Sequence, residues 1–473
     1  MPLPEPKGKQ REVVCLNQTG HSVVLGTAGS GKTTMAIHRA AYLANPNTAH
    51  GASTLLLSFN KSLLAYLNYL RPPELTGVDI RNYHHFARGY LNHRKRMGYN
   101  WICDKDSDRE ALLSEALEAT RKKEPRKALL KRPLQFFFTE TRWMSQQGIT
   151  SLDEYLEIER AGRGDEGVLG SKQRTLVFEV FETYQQLREE AGYRYDWYDI
   201  ATTVCEELKK DNAPRQYRHV VIDEGQDFSP SMLRSLALLI PADGSLTFFG
   251  DVAQQVYGRR ISWRQAGLDI RAPWNFERNY RNSPQIAKVG IAIAEMPYFA
   301  DELDMVPPTE FAAEGPKPTL VRCATKEDEI QLAISQARAA AESASVAVLV
   351  RRREDLGPFA HAFKGSGQRL YRDMTDWSPD PGVSYGTVHN AKGYEFDTVI
   401  LVGLGDERWP DPGAIEAEGT DEAEASDGRL LYVGVTRARS ALVMTYIGEP
   451  TKLLPANDDL WTEAGAPMSA AEK

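Results

Sequence analysis

The chain has 473 residues, 42% of them hydrophobic, enough for roughly two to four domains with real cores. No apolar run approaches the ~20 residues of a membrane span, and the start, Met1-Pro2-Leu3-Pro4, has no signal-peptide core, so the expected location is the cytoplasm. The net charge of −8 excludes bulk electrostatic attraction to nucleic acid. The spacing of Cys15, Cys103, Cys205 and Cys323 fits neither a zinc site nor a disulfide framework, and they read as reduced, mostly buried thiols.

In chain order, Ser22-Val23-Val24-Leu25 reads as a buried strand. It runs into Gly26-Thr27-Ala28-Gly29-Ser30-Gly31-Lys32-Thr33-Thr34, and then into a helical pattern with Met35, Ile37 and Ala41 on one side. Strand, glycine-rich turn and helix are the setting of a P-loop. There the glycines let backbone N–H groups converge on phosphates at a helix N-terminus. Lys32 adds a point charge on those phosphates, and the Thr33 hydroxyl is a ligand for Mg²⁺. The chain is therefore expected to bind a nucleoside triphosphate.

Further short apolar runs follow at Leu55–Leu57, Val220–Ile222, Leu246–Phe249, Val346–Val350 and Val399–Val402. They suit buried parallel strands separated by helices, an α/β architecture. Between about 86 and 200 the pattern turns largely helical, as in Arg109–Leu130 and Lys172–Glu190. The expected organisation is a first α/β domain over 1–85 and 200–275 and a helical insertion over 86–199. A second α/β domain over 276–450 and a loose Pro/Ala/Asp/Glu-rich tail over 451–473 complete it.

Charge is unevenly spread. Residues 405–428 hold nine acidic side chains against Arg408 alone, and read first as a solvated or disordered loop, then as a partner-binding or strand-excluding segment. Residues 88–142 hold fourteen basic and eight acidic side chains, either a solvated helical face or a contact for a phosphate backbone.

The run Arg218-His219-Val220-Val221-Ile222-Asp223-Glu224-Gly225-Gln226-Asp227 is an apolar strand ending in adjacent carboxylates. In a P-loop protein Asp223 would hold Mg²⁺ and Glu224 would polarise the attacking water.

With this element in place, the motifs resemble, in order, those of superfamily 1 helicases of the UvrD/Rep/PcrA type. The matching segments are Lys9–Glu12, Val220–Asp227, Phe249–Gly258, Phe276–Arg281, Thr387–Phe396 and Tyr432–Arg439. The resemblance implies two RecA-like P-loop domains, ATP and Mg²⁺ as cofactors, and single-stranded DNA as partner, with RNA not excluded. It implies that Gln10 reads the adenine edge and that Gln254 senses the γ-phosphate. Tyr280 would stack on the base, while Arg281 and the arginine finger Arg437 would meet the γ-phosphate from the second lobe. Glu395, with Gly29, Ser30, Gly31 and Thr34 of the loop, joins the nucleotide site by the same resemblance. Candidate strand contacts are Phe59, Asn60, His84, Tyr257, Arg259, His389 and Asn390; Phe59 reads second as a core residue, and His84 and His85 read equally as structural.

Three departures from the family pattern stand out. Arg259-Arg260 follows Tyr257-Gly258 where the family carries a stacking tryptophan, which leaves Trp263 or the Arg259 plane as substitutes. Thr34 stands where these enzymes commonly place an arginine. Only 105 residues separate Arg281 from Thr387, so the mobile 2B subdomain is expected to be absent or vestigial, with its site at Asp376–Gly382. Little chain follows Arg437, which leaves no room for a nuclease domain. The resulting expectation is an ATP-dependent, 3′→5′ single-stranded DNA translocase or helicase. The alternative is a nucleotide-gated DNA-sensing subunit of a nuclease-containing repair or phage-defence complex.

Overall fold

The computed structural model describes residues 5–6, 8–26, 30–58, 75–158, 169–251, 263–264, 266–270, 272–276, 278–279, 282–299, 310–311, 315–371, 374 and 380–465. Strands β1 (Gly20–Gly26), β2 (Thr54–Ser58), β3 (Val78–Asn82), β4 (His219–Asp223), β5 (Ser245–Gly250) and β6 (Trp274–Phe276) form one parallel sheet, in the order β3-β2-β4-β5-β1-β6. Side chains alternate across a strand, so neighbours in sequence enter opposite cores. Val24, Leu56, Val221 and Phe249 pack against helices α1 (Lys9–Val14) and α2 (Lys32–Ala44). Val23, Leu57, Ile222 and Phe248 face the other way, onto α3 (Tyr83–His93) and the helices Ile200–Lys210 and Pro230–Leu239. Both faces are covered, which is why the strands read as continuous apolar runs.

The second sheet uses β7 (Thr319–Cys323), β8 (Ser345–Val350), β9 (Gly367–Arg369), β10 (Gly382–Thr387), β11 (Phe396–Val402), β12 (Ala438–Ile447) and β13 (Thr462–Gly465). Their order is β9-β10-β8-β11-β12-β7-β13, with every adjacent pair again parallel. Ala347, Leu349, Val399 and Leu401 enter one core, and Val346, Val348, Ile400 and Val402 the other. Two helix-flanked parallel sheets are the α/β class expected of RecA-like lobes.

Between β3 and β4 lies a helical block with its own core. Leu113 and Leu117 of α4 (Asp106–Lys123) and Phe137 and Met144 of α5 (Leu134–Gln147) meet Phe178 and Phe181 of the helix Ser171–Glu190. Its first helix does not belong to it: α3 crosses position 86 and buries Tyr83, Phe86 and Leu91 in the first lobe. The helix expected over Arg109–Leu130 stops at Lys123, because Pro125 disfavours helical backbone at Glu124; a short 3₁₀ turn, Ala128–Lys131, follows.

Two further expectations are corrected. The stretch after 450 is not loose: Thr451, Leu453, Leu454 and Trp461 are buried, and β13 pairs with β7; residues 466–473 lie outside the described ones. The acidic segment is not a disordered loop, since it folds as α6 (Pro412–Glu418) and α7 (Thr420–Thr436). Asp411 caps α6 and accepts from Arg352 Nε at 2.9 Å. Asp427 is buried and accepts from Arg351 Nε at 3.0 Å and from the Asp411 N–H at 2.7 Å. Burial pushes its carboxyl up, and the Arg351 charge opposes this. The four cysteines are free, and Cys15 is exposed rather than buried. No described helix is long and apolar enough to cross a membrane.

Arg351 keeps partial contact with solvent, so losing Asp427 costs less than breaking a fully buried pair. Asp427→Ala should lower the unfolding free energy by about 1–3 kcal/mol in urea titration. Glu416→Ala, at an exposed position of the same acidic segment, should leave it unchanged.

Candidate functional site

The site forms where β1, β4 and β5 end, the edge at which parallel α/β sheets receive ligands. β1 delivers the loop, and Gly31 turns it into α2 with φ 84°, a left-handed conformation that favours glycine. Lys32 is nearly buried; its Nζ donates to the Gly26 carbonyl at 2.6 Å and lies 3.8 Å from Asp251 Oδ2, just beyond β5. Gln10, on α1, reaches the same loop, with Nε2 3.5 Å from the Ser30 carbonyl oxygen. Ser30 is buried beneath it, and Thr33 and Thr34 follow in the first turn of α2. Gly29 lies outside the described residues.

β4 ends in Asp223, fully enclosed, whose Oδ2 has no hydrogen-bond partner. Burial and the neighbouring Glu224 charge push its carboxyl up to about 7, while the Thr33 hydroxyl and the Lys32 charge oppose the shift. An orphaned buried carboxylate oxygen beside a threonine hydroxyl suits a hard cation. Among the described residues no three His, Cys, Asp or Glu side chains gather to cage a metal, so Asp223 and Thr33 would share Mg²⁺ with phosphate oxygens.

Glu224 holds φ 52° and ψ 41°, a left-handed conformation that costs a residue with a side chain about 1–3 kcal/mol and marks functional turns. Gly225 allows the turn to pass the Phe248 ring, which a Cβ would strike at 2.2 Å. Gln226 then bonds both ways: its amide N donates to Glu224 Oε2, and its amide O accepts from the Asp251 N–H at 2.9 Å. Burial raises the Glu224 carboxyl, but Lys32, Lys392 and Arg437, with the Gln226 bond, more than offset this and hold it below its ordinary value. Two of those three cations belong to the second lobe.

The second lobe supplies them from two strand ends. β10 runs into the turn Val388–Ala391, where the Asn390 side chain donates to the Leu370 carbonyl at 3.1 Å and its N–H to Thr387 Oγ1 at 3.3 Å. Next comes Lys392, whose Nζ forms an ion pair with Asp227 of the first lobe; both side chains are buried. Arg437, at the C-cap of α7, is buried and donates Nε to the Val433 carbonyl at 3.1 Å and Nη1 to the Tyr394 carbonyl at 3.4 Å. Glu395 is engaged by Arg439, at 3.0 and 3.2 Å, a partnership the motif alone did not reveal.

A groove of ≈ 1140 Å³ runs between the first lobe and the helical block, lined among others by His84, Arg142, Gln146, Trp197, Tyr198 and Asp227. Asp196 builds it from below. It is fully buried and accepts from Tyr184 Oη at 2.9 Å, Arg188 Nη1 at 3.1 Å and the N–H of Tyr198 at 2.7 Å. That turn presents Trp197 4.7 Å from the His84 ring, and Tyr198 between Arg109 and Arg142 at 4.3 and 4.7 Å. Aromatic and guanidinium planes beside amides are what unpaired bases stack on. Asp227 lies on both sides of this arrangement, lining the groove and holding Lys392.

Residues 7–275 match the UvrD/REP helicase N-terminal domain, and residues 368–449 the UvrD-like helicase C-terminal domain. The chain belongs to the UvrD/REP helicase family. It is 25% identical over 466 residues to DNA helicase IV of Escherichia coli, covering 89% of this chain and 65% of that protein. It is 23% identical over 465 residues to a probable DNA helicase of Mycoplasma pneumoniae, covering 92% and 82% of the two chains. DNA helicase II of Haemophilus influenzae is 24% identical over 308 residues, which cover 59% of this chain and 38% of that protein. The chain therefore spans slightly less than two thirds of the E. coli helicase.

Of the residues expected from the UvrD/REP pattern, the structure gathers Gln10, Ser30, Gly31, Lys32, Thr33, Asp223 and Glu224 at one edge and brings the charge of Arg437 to them. His84 lines the groove, and His389 and Asn390 lie on the second-lobe turn before Lys392. Phe59, Asn60, Gln254, Tyr257, Arg259, Tyr280, Arg281 and the expected 2B site at 376–379 lie outside the described residues. Trp263 is partly buried and packs T-shaped against Phe248, with ring centroids 5.0 Å apart, on the lobe-one core. Trp197, Tyr198 and Arg142 were missed; the signal was the aromatic–acid alternation Tyr195-Asp196-Trp197-Tyr198-Asp199 at the end of a helical block. The basic surplus narrows to 121–132, where seven cations stand with Glu124 alone, and Lys122, Arg126 and Lys131 are exposed.

If the groove stacks bases, Trp197→Ala should weaken single-stranded DNA binding by about 1–3 kcal/mol in fluorescence anisotropy. ATP hydrolysis without DNA should be unaffected by the same change.

Proposed function

We propose that the chain is an ATP-dependent translocase or helicase on single-stranded DNA, moving 3′→5′. The observation that carries the reading is the convergence of both lobes on one carboxylate. Lys392 and Arg437 of the second lobe depress Glu224 of the first, and Lys392 is paired with Asp227 at the floor of the groove.

Glu224, ionised at neutral pH, takes the proton of the water that attacks the γ-phosphate. Lys32 and the loop N–H groups hold the phosphates, and Gln10 orients the base end. Arg437 is placed to stabilise the charge that develops on the transferring group, where a permanent planar cation acts strongly. When bound, Mg²⁺ neutralises phosphate charge from its place at Asp223 and Thr33.

Residues 1–85 with 200–275, joined by α3, form one closing lobe in this reading, residues 276–450 the other, and the rest of 86–199 the wall of the strand groove. A strand in the groove meets Asp227, and through Lys392 it alters the charge seen by Glu224. Hydrolysis and strand occupancy are thereby coupled, as a motor requires.

ATP turnover should rise on adding single-stranded DNA and should not rise equally with RNA; a DNA-independent rate would overturn the motor. Glu224→Gln should abolish turnover while retaining ATP binding, whereas Lys32→Ala should lose both. On tailed duplexes, displacement should require a 3′ single-stranded tail.

A further inference from the structure

Arg39 lies on α2, seven residues beyond Lys32, and its side chain is wholly buried. Among the described residues no carboxylate pairs with it. Its guanidinium donates instead to three carbonyls within four residues: Nη1 to Val14 at 2.9 Å and to Leu16 at 2.7 Å, and Nη2 to Asn17 at 2.6 Å. Nε lies 3.3 Å from Thr247 Oγ1 on β5, and the Tyr42 ring is 5.8 Å from the guanidinium carbon. Burial pulls its pKa down to about 10, so it remains a cation at neutral pH.

A buried cation without an anion is costly and is not the cheapest way to fill space. What it satisfies here is the last carbonyl of α1, that of Val14, and two carbonyls of the turn that follows it, those of Leu16 and Asn17. α1 is only six residues long and buries only Val13, so it has little stability of its own. Its position must come from an anchor. Gln10 stands one residue inside the other end of this helix, its amide against the Ser30 carbonyl and close above Gly31. A shift or rotation of α1 would carry that amide away from the loop.

We propose that Arg39 is a positioning residue for base recognition: it clamps α1 to the phosphate-binding helix and to β5, and so fixes Gln10 at the distance from the loop where a purine edge is read. The proposal rests on reading the chain as an ATPase in which Gln10 faces the adenine. One side chain thereby sets the spacing between the phosphate-holding and base-reading parts of the site. Lysine cannot replace it, because a single ammonium lacks the planar fork that spans three carbonyls and a hydroxyl.

The test compares ATP and GTP hydrolysis, with saturating single-stranded DNA, for the parent, Gln10→Ala, Arg39→Lys, Arg39→Met and the double variant Gln10→Ala/Arg39→Lys. Inorganic tripolyphosphate, as competitive inhibitor, probes the phosphate site alone. Arg39→Lys should reduce the ATP-over-GTP preference in kcat/KM by about tenfold, the worth of one hydrogen bond to a base edge. The change should fall on the KM for ATP, with kcat at saturating ATP and inhibition by tripolyphosphate retained. Gln10→Ala should lose the same preference, and the double variant no more. Should Arg39→Met fail to fold, Arg39→Lys, which keeps the charge, decides the matter. A preference unchanged in Arg39→Lys while Gln10→Ala loses it would overturn the role of Arg39 alone. Equal weakening of ATP, GTP and tripolyphosphate would also overturn it, as the mark of a merely structural residue. A preference unchanged in Gln10→Ala would refute the base-reading assignment and the proposal with it.

Discussion

The structure depends on keeping one half-buried carboxylate charged. Glu224 sits in a left-handed turn at the end of β4, where partial burial favours its acid form. Three cations reverse that preference, and only Lys32 is local; Lys392 and Arg437 come from the other lobe. A base whose charge is set partly by a separate domain is a base whose readiness follows domain position. The site is thereby a joint rather than a pocket, and that property, more than the P-loop, points to a motor.

The rest of the fold serves the joint. Each sheet is parallel, so its strand ends collect along one edge, and both edges supply functional residues there. Arg39 ties α1 to α2, while Arg351 and Arg352 tie the second-lobe sheet to the acidic helices α6 and α7. Those helices lead directly into Arg437, so the pair between half-buried Arg351 and buried Asp427 supports the helix that carries it. At the far side, Asp196 with Arg188 and Tyr184 holds the turn that carries Trp197 and Tyr198 into the groove. Charges that look like surface decoration in the sequence are therefore buried supports of functional segments.

The nucleotide half of the site was legible because its parts are local. A strand, a glycine turn and Lys32, or a strand and Asp223-Glu224, declare themselves within ten residues. What was not legible was long-range. Asp411 and Asp427 read as part of a solvated acidic stretch because their arginines lie 59 and 76 residues earlier in the chain. The segment after 450 read as loose because its burial rests on sparse apolar residues, Leu453, Leu454 and Trp461, and its strand is an exposed edge without alternation. Trp197 and Tyr198 escaped because their partners, His84 and Arg142, sit on separate helices. Glu395 showed the converse limit, since a motif position gives a residue's place but not that Arg439 will hold it.

In the proposed motor the lobes communicate through the Lys392–Asp227 pair. The most direct test of that link is ATP turnover of Lys392→Ala with and without single-stranded DNA, beside an ATP-binding measurement. Stimulation by DNA should vanish while ATP affinity persists, and the DNA-free rate should fall as Glu224 loses one of its three cations. Full stimulation in that variant would contradict the coupling and leave the two lobes without the connection described here.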